Sequence, residues 1–294
     1  MTVITSDAIR RVLVTGAGGF IGSHLTEACV AAGYEVRAFV RYNSRSSRGW
    51  LDDCEAARHV EVVAGDVRDA DAVNRAMAGV DTVFHLAALV GIPYSYESPS
   101  SYVRTNVEGT ANVLLAARAH GLTNVVLTST SETYGSAQCV PIDESHPAKA
   151  QSPYAATKIA ADQLGLSFHR SFGLPVKVVR PFNTYGPRQS MRAIIPTIIT
   201  QLLQGPTIRI GHVHPTRDLT YVADTVAGFL AVARSAAAVG LATNVGMNDE
   251  ISIADLAALI ARVMGTPMRI VQAAERQRPA MSEVDRLVCD NRRC

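Results

Sequence analysis

The sequence predicts an α/β fold, a doubly wound parallel sheet with a smaller C-terminal lobe, on three observations. Short apolar runs rich in β-branched residues alternate with helical segments from Arg11 to Arg180. A glycine cluster separates the first run from the first helix. Beyond Pro181 the alternation loosens, and Pro187, Pro196, Pro206 and Pro215 break the chain into loops and short elements.

Arg11-Val-Leu-Val-Thr15 reads as the first strand, and Phe20 to Ala32 has helical periodicity that ends at Gly33. Val36 to Val40, Val60 to Ala64, Thr82 to Leu86, Asn124 to Ser129 and Val176 to Arg180 read as buried strands with helices between most of them. Ala242 to Gly246 is expected to add one more strand, while Ile251 to Met264 carries an apolar stripe of helical spacing. Residues 1–180, with a return near 218–246, are therefore expected to form the sheet domain. Residues 181–217 and 247–294 are expected to form the second lobe.

The 294 residues suffice for two coupled lobes. Lysine and arginine number 28 against 26 acids, a net +2 that favours neither a nucleic-acid nor a membrane partner. The five cysteines are scattered without metal-site spacing, so no metal is expected and the thiols read as reduced. The first residues lack the apolar stretch of a secretory signal, and no segment offers the roughly 18 consecutive apolar residues of a membrane span. A cytoplasmic location is expected.

Thr15-Gly-Ala-Gly-Gly-Phe-Ile-Gly22 lies between a predicted strand and a predicted helix, the context in which such a loop receives a dinucleotide. Gly16 permits the tight turn, Gly19 lets the backbone approach a pyrophosphate at the helix N-terminus, and Gly22 allows helix to pack on strand. Phe20 and Ile21 are counted with these cofactor contacts. The second strand ends in Phe39-Val-Arg-Tyr-Asn-Ser44, without the carboxylate that commonly holds an adenosine ribose. Arg41 there suits a 2′-phosphate or plain solvent, so NAD and NADP both remain open. Asp66, followed by Val67, reads as an adenine contact or as a turn aspartate.

Tyr154 and Lys158 lie four apart at the start of a predicted helix, so both project from one face. An ammonium beside a phenol is expected to lower its pKa, and such a tyrosine can take a proton from a substrate hydroxyl as the carbon beneath gives up hydride. The partners are expected in Thr128-Ser-Thr-Ser-Glu-Thr-Tyr-Gly135, at the carboxyl edge of the sheet. Thr130 can bond the same hydroxyl. Ser131 and Glu132 stand beside it, and a carboxylate next to the reacting carbon suits proton abstraction α to a ketone.

Together T-G-x-x-G-x-x-G, T-S-E-x-Y-G, Tyr154-x-x-x-Lys158 and Arg180-Pro-Phe-Asn-Thr-Tyr-Gly-Pro-Arg188 resemble the extended short-chain dehydrogenase/reductase superfamily, in its nucleotide-sugar epimerase/dehydratase branch. The resemblance covers nearly the whole chain and implies a Rossmann-type sheet. Tyr42-Asn-Ser44, Gly49-Trp-Leu-Asp52, Val140-Pro-Ile-Asp-Glu144 and Arg217-Asp-Leu-Thr-Tyr-Val222 resemble, within that branch, the 4,6-dehydratases of nonulosonic (legionaminic-type) sugar pathways.

The resemblance implies working roles for Tyr154, Lys158, Thr130 and Glu132. It implies contacts from Asn183, Arg188, Arg192, Arg217 and Arg278 to the sugar and diphosphate, a support role for Asn106, and Leu86-Ala87-Ala88 along the nicotinamide ribose. The implied partner is a nucleotide-diphosphate sugar, and the implied assembly a homodimer. Two features depart from the pattern. Ser131 stands where many sugar 4,6-dehydratases have aspartate, as it does in GDP-mannose dehydratases and UDP-glucuronate decarboxylases. The sequence also stops at Asp290-Asn-Arg-Arg-Cys294, where related enzymes run on, so a shortened lobe is expected.

The expected function is a 4,6-dehydratase: oxidation at C4, proton removal at C5 by Glu132, loss of the C6 hydroxyl as water, and return of hydride to C6. A 4-epimerase acting on a UDP-hexose or UDP-glucuronate would need no base at C5. A C5 carboxylate facing Arg192 would make decarboxylation the outcome. A non-catalytic NAD(P)-sensing regulator is the alternative from another class, and it would tolerate loss of the Tyr154/Lys158 pair.

Overall fold

A computed structural model describes residues 9–274 and 279–294. Seven parallel strands form the central sheet: β1 (Arg11–Thr15), β2 (Glu35–Arg41), β3 (Val60–Gly65), β4 (Thr82–His85), β5 (Asn124–Thr128), β6 (Val176–Pro181) and, after the short strands β7 (Asn183–Tyr185), β8 (Thr207–Ile210), β9 (Thr216–Arg217) and β10 (Leu219–Tyr221), β11 (Ala242–Val245). Their spatial order is β3-β2-β1-β4-β5-β6-β11. The chain moves outward from β1 to β3, returns to β4, and then moves outward the other way. That reversal opens a crevice at the carboxyl ends of β1 and β4, where ligands of such sheets bind. The expected strands from Val36 to Arg180 and at Ala242 are all present, with ends shifted by one or two residues.

Both faces of the sheet are covered, which is why its strands read as continuous apolar runs. Val12 and Val14 point to the face packed by α1 (Phe20–Ala31) and α8 (Val222–Arg234), against Leu25, Cys29 and Phe229. Leu13 points to the other face, packed by α2 (Ala70–Met77), α5 (Gly109–Ala119) and α6 (Pro153–Phe172) through Val73, Met77, Val113, Leu114 and Leu166. Each fully buried side chain of this kind contributes about 1.5–3 kcal/mol.

Between β4 and α5 lie α3 (Ile92–Glu97), α4 (Pro99–Tyr102) and one π-helical turn, Val103–Glu108. The second lobe is built on α7 (Ile194–Leu202), α9 (Ile253–Met264) and the parallel pair of β8 with β13 (Arg269–Gln272), around Ile198, Leu202, Ile208, Leu256 and Ala257. The helix expected from Ile251 begins at Ile253. Ile251 and Ser252 pair with β9 as β12, and the Ser252 side chain accepts from the Asp255 amide to cap α9. β14 (Arg286–Leu287) completes that three-stranded sheet. Among the described residues no helix is long and apolar enough to cross a membrane, and no cluster of His, Cys, Asp and Glu could hold a metal ion.

Candidate active site

A cavity of about 1310 Å³ runs from the glycine loop, across the carboxyl ends of β1 and β4, into the second lobe. At its first end Gly16 has φ +72, a left-handed turn that glycine adopts without strain. A Cβ on Gly22 would stand 2.1 Å from the Gly16 carbonyl oxygen, and one on Gly18 would stand 2.2 Å from the Arg48 carbonyl oxygen. At these positions backbone packs on backbone with no room for a Cβ. Gly19 precedes α1 without any side-chain cap, so the helix presents its first amides and its positive dipole end to the cavity that Gly19, Phe20 and Ile21 line.

Arg41, Asp66 and Val67 line the same end. Asp66 is held by Arg68, whose Nε and Nη2 donate to it at 2.9 and 2.6 Å, and this hydrogen-bonded pairing lowers its pKa. The Arg68 backbone amide also donates to Asp66, so the aspartate closes a turn as well as facing the cavity. Leu86, Ala87 and Ala88 form the floor beyond β4.

The reacting end is organised by α6. Ser152 accepts from the Ala155 amide at 3.1 Å and Pro153 occupies the first turn, which fixes where the helix starts. Tyr154 and Lys158 follow one turn apart, both buried. Thr130, Glu132 and Tyr154 line the cavity together, and the Thr130 side chain hydrogen-bonds Tyr154. The Tyr102 ring stacks edge-on against Tyr154, centroids 6.2 Å apart.

Burial raises the Tyr154 pKa, the Thr130 hydrogen bond opposes that rise, and the charge of Glu132 adds to it. The lowered phenol expected from the Lys158 spacing is not found. The Lys158 ammonium donates to the Thr128 carbonyl, and its own pKa is pushed down by burial to about 8 against the opposing pull of Asp162. Asp162 sits one further turn along α6, accepting from Ser129 at 2.8 Å and from Arg180 Nε and Nη2 at 3.1 Å each. Ser131, expected beside the reaction, is 2 % exposed at the start of the Ser131–Tyr134 turn and does not line the cavity.

In the second lobe Asn183, Arg192 and Arg217 line the cavity, and the buried Asn183 Oδ1 has no hydrogen-bond partner among the described residues. Arg217 donates to the Thr216 carbonyl and reaches Glu283 at 3.4 Å, while the His212 Nδ1 lies 3.1 Å from the same carboxylate. Arg188 is placed elsewhere. Its guanidinium grips Glu27 of α1 at 2.7 and 2.9 Å and reaches Ser23, so it ties the segment after β7 to the cofactor-side helix and does not line the cavity. Arg278 lies outside the described residues.

Residues 13–294 match the family model described as GDP-mannose 4,6 dehydratase. The chain belongs to this family. It is an enzyme of the extended short-chain dehydrogenase/reductase superfamily, similar to nucleotide-sugar dehydratases and epimerases. A dTDP-glucose 4,6-dehydratase from Streptomyces griseus is 37% identical over 268 residues, covering 90% of this chain and 81% of that one. The crystal structure of a dTDP-glucose 4,6-dehydratase from Streptomyces venezuelae with NAD and TYD bound superposes with TM-score 0.86 at 31% identity, covering 96% of this chain and 88% of that one. That of a UDP-glucuronic acid 4-epimerase from Bacillus cereus in complex with UDP-glucuronic acid and NAD gives TM-score 0.87 at 27% identity, covering 96% and 90%.

Sequence reading missed several residues that line the cavity or stand behind it. Asp162 had a signal, since it falls four residues after Lys158 and eight after Tyr154, an acid on the stripe that α6 buries. Arg180, a buried charge near the end of a strand, was a second signal. Gln189 lines the cavity with a buried Oε1 that has no hydrogen-bond partner among the described residues, and Glu283 approaches from the segment before β14. Neither sits in a periodic segment that would have aimed it.

Proposed function

We propose that the chain is an NAD-dependent nucleotide-sugar 4,6-dehydratase, and the observation that carries this reading is that Glu132 lines the same cavity as Thr130 and Tyr154. The residues fit a dinucleotide, because backbone without Cβ atoms and an uncapped helix N-terminus suit a pyrophosphate. NAD is the form in both solved relatives, and Arg41 makes NADP the comparison to run. Residues 1–180 with 218–246 would hold the dinucleotide, and 181–217 with 247–294 the sugar nucleotide, through Asn183, Arg192 and Arg217.

A bound nicotinamide would supply the hydride chemistry, uptake from C4 and return to C6, held over the floor that Leu86, Ala87 and Ala88 form. Tyr154 takes the proton of the C4 hydroxyl, and Thr130 holds that oxygen. The 4-ketone acidifies C5, and Glu132 takes the C5 proton. With Ser131 turned away from the cavity, Glu132 then gives its proton to the departing C6 hydroxyl, which leaves as water, and a proton from solvent completes C5 when hydride returns to C6. Lys158 keeps a positive charge behind Tyr154. A homodimer and a cytoplasmic location belong to the same proposal, and the five unpaired thiols fit a reducing compartment.

Replacing Glu132 by Gln tests the reading. In the dehydratase, oxidation at C4 continues, reduced nicotinamide accumulates, and exchange of the C5 hydrogen with deuterated solvent falls by on the order of 10²–10⁴-fold. Full turnover in Glu132→Gln would remove the assignment and favour 4-epimerisation, which uses no C5 base.

A further inference from the structure

His85, the last residue of β4, is buried at 4 % exposure beneath the crevice and belongs to none of the roles above. Its Nδ1 lies 2.8 Å from the Thr15 hydroxyl and its Nε2 lies 3.1 Å from the Thr110 hydroxyl. The surrounding bonds fix every proton in this chain. Thr110 spends its own hydrogen on the Asn106 carbonyl at 2.6 Å, so its oxygen can only accept, and His85 must carry a hydrogen on Nε2. The Leu86 and Ala87 amides both donate to the Thr15 oxygen at 3.2 Å, which leaves the Thr15 hydrogen for His85 Nδ1.

Beyond Asn106 the bonds continue. The Asn106 amide donates to the Leu89 carbonyl and to the Thr157 hydroxyl, both at 3.0 Å, its oxygen accepts from the Leu89 amide at 2.8 Å, and Thr157 donates to the Tyr154 carbonyl at 2.7 Å. One continuous path thus runs from the residue before the Gly16 turn to the helix turn that carries Tyr154. Asn106 lies in the π-helical turn, a local widening frequent at functional sites.

We propose that His85 is a positioning residue, which through its neutral, Nε2-protonated ring locks the Gly16 turn and the Leu86–Leu89 floor to the first turn of α6. The inference rests on the cofactor reading above. A second ring proton, on Nδ1, would face the Thr15 oxygen, displace one of the Leu86 and Ala87 bonds and disturb the cofactor floor. Burial, with the nearby Lys158 charge, pushes the His85 pKa down to about 3, which keeps the ring in the required form.

The test uses the full chain with isotope-labelled histidine, the His85 signal being identified by its absence in His85→Phe. We expect the ring nitrogens to report one Nε2-protonated tautomer that does not titrate from about pH 5 to pH 8. Binding of NADH, read by its fluorescence, should weaken on the order of tenfold in His85→Phe, because Thr15 and Thr110 lose a buried partner. His85→Asn, which restores an acceptor toward Thr15, should recover part of that loss. Should His85→Phe fail to fold, Thr110→Val supplies the second variant: its ring, still accepting the Thr15 hydrogen at Nδ1, should stay Nε2-protonated, while the unpaired Nε2 hydrogen weakens NADH binding.

An Nδ1-protonated or titrating ring overturns the proposal, as does a folded His85→Phe with unchanged NADH affinity. Unchanged NADH affinity in Thr110→Val overturns it too. A wild type that binds neither NADH nor NADPH would instead sink the functional reading, and the ring spectra would still decide the proton arrangement.

Discussion

At the residue scale the reacting end depends on charges held where water is excluded. Tyr154 is a phenol whose ionisation burial disfavours and the Thr130 hydrogen bond favours, so it must give up its own proton before it takes that of the substrate, and Lys158 is an ammonium whose charge burial disfavours and Asp162 supports. Tyr154→Phe removes one oxygen from the reacting centre and leaves the glycine loop intact. Its kcat should fall on the order of 10²–10⁴-fold with NADH affinity unchanged in a fluorescence titration. Near-normal turnover would refute the assignment. His85 gives a pH prediction of opposite character. The folded ring takes no proton above about pH 3, whereas an unfolded one takes it below about 6.5, so between those values protons favour the unfolded chain and stability falls as pH falls. From pH 7 to pH 5 this single group should cost about 2 kcal/mol. Urea unfolding at both pH values should show that increment in the wild type and its absence in His85→Phe; equal pH dependence in the two would contradict the buried neutral ring.

At the element scale, strands and helices joined by local sequence signals were legible, and side-chain partnerships across the fold were not. The glycine spacing from Gly16 to Gly22 and the four-residue spacing of Tyr154 and Lys158 act within one turn or two, so their consequences could be read in order along the chain. Arg188 shows where that stops. The resemblance implied that it contacts the sugar and diphosphate, yet its guanidinium turns back 161 residues in sequence to Glu27 of α1. Its backbone, at φ +69, is in a conformation that non-glycine residues seldom adopt, and the bidentate carboxylate pairing holds it there. Arg188→Met should therefore lower stability by about 1–3 kcal/mol and leave the KM for the sugar nucleotide nearly unchanged. A normal melting temperature with a raised KM would restore Arg188 to the diphosphate. Ser131 was misread for a similar reason, since a short turn of the 3₁₀ type sends neighbouring side chains in different directions, and the interior took Ser131 while the cavity took Glu132.

At the scale of the whole molecule, the sheet reversal between β1 and β4 brings the dinucleotide loop and the α6 pair to one crevice, and the second lobe closes the far end of the same cavity. That architecture was legible because alternating buried strands and helices permit few other windings. The far end was not, because Glu283, His212 and Arg217 meet there from segments without periodicity. Hydride loss at C4 is the first step that dehydratase and epimerase chemistry share, and the placement of Glu132 beside Tyr154 favours proton removal at C5 as the second. The most direct measurement is incubation of the wild-type enzyme with UDP-, GDP- and dTDP-sugars in deuterated water, with products read by mass spectrometry and NMR. A dehydratase will release a keto product lighter by one water and carrying solvent deuterium at C5. A product of unchanged composition, inverted at C4 and free of deuterium at C5, would contradict that assignment.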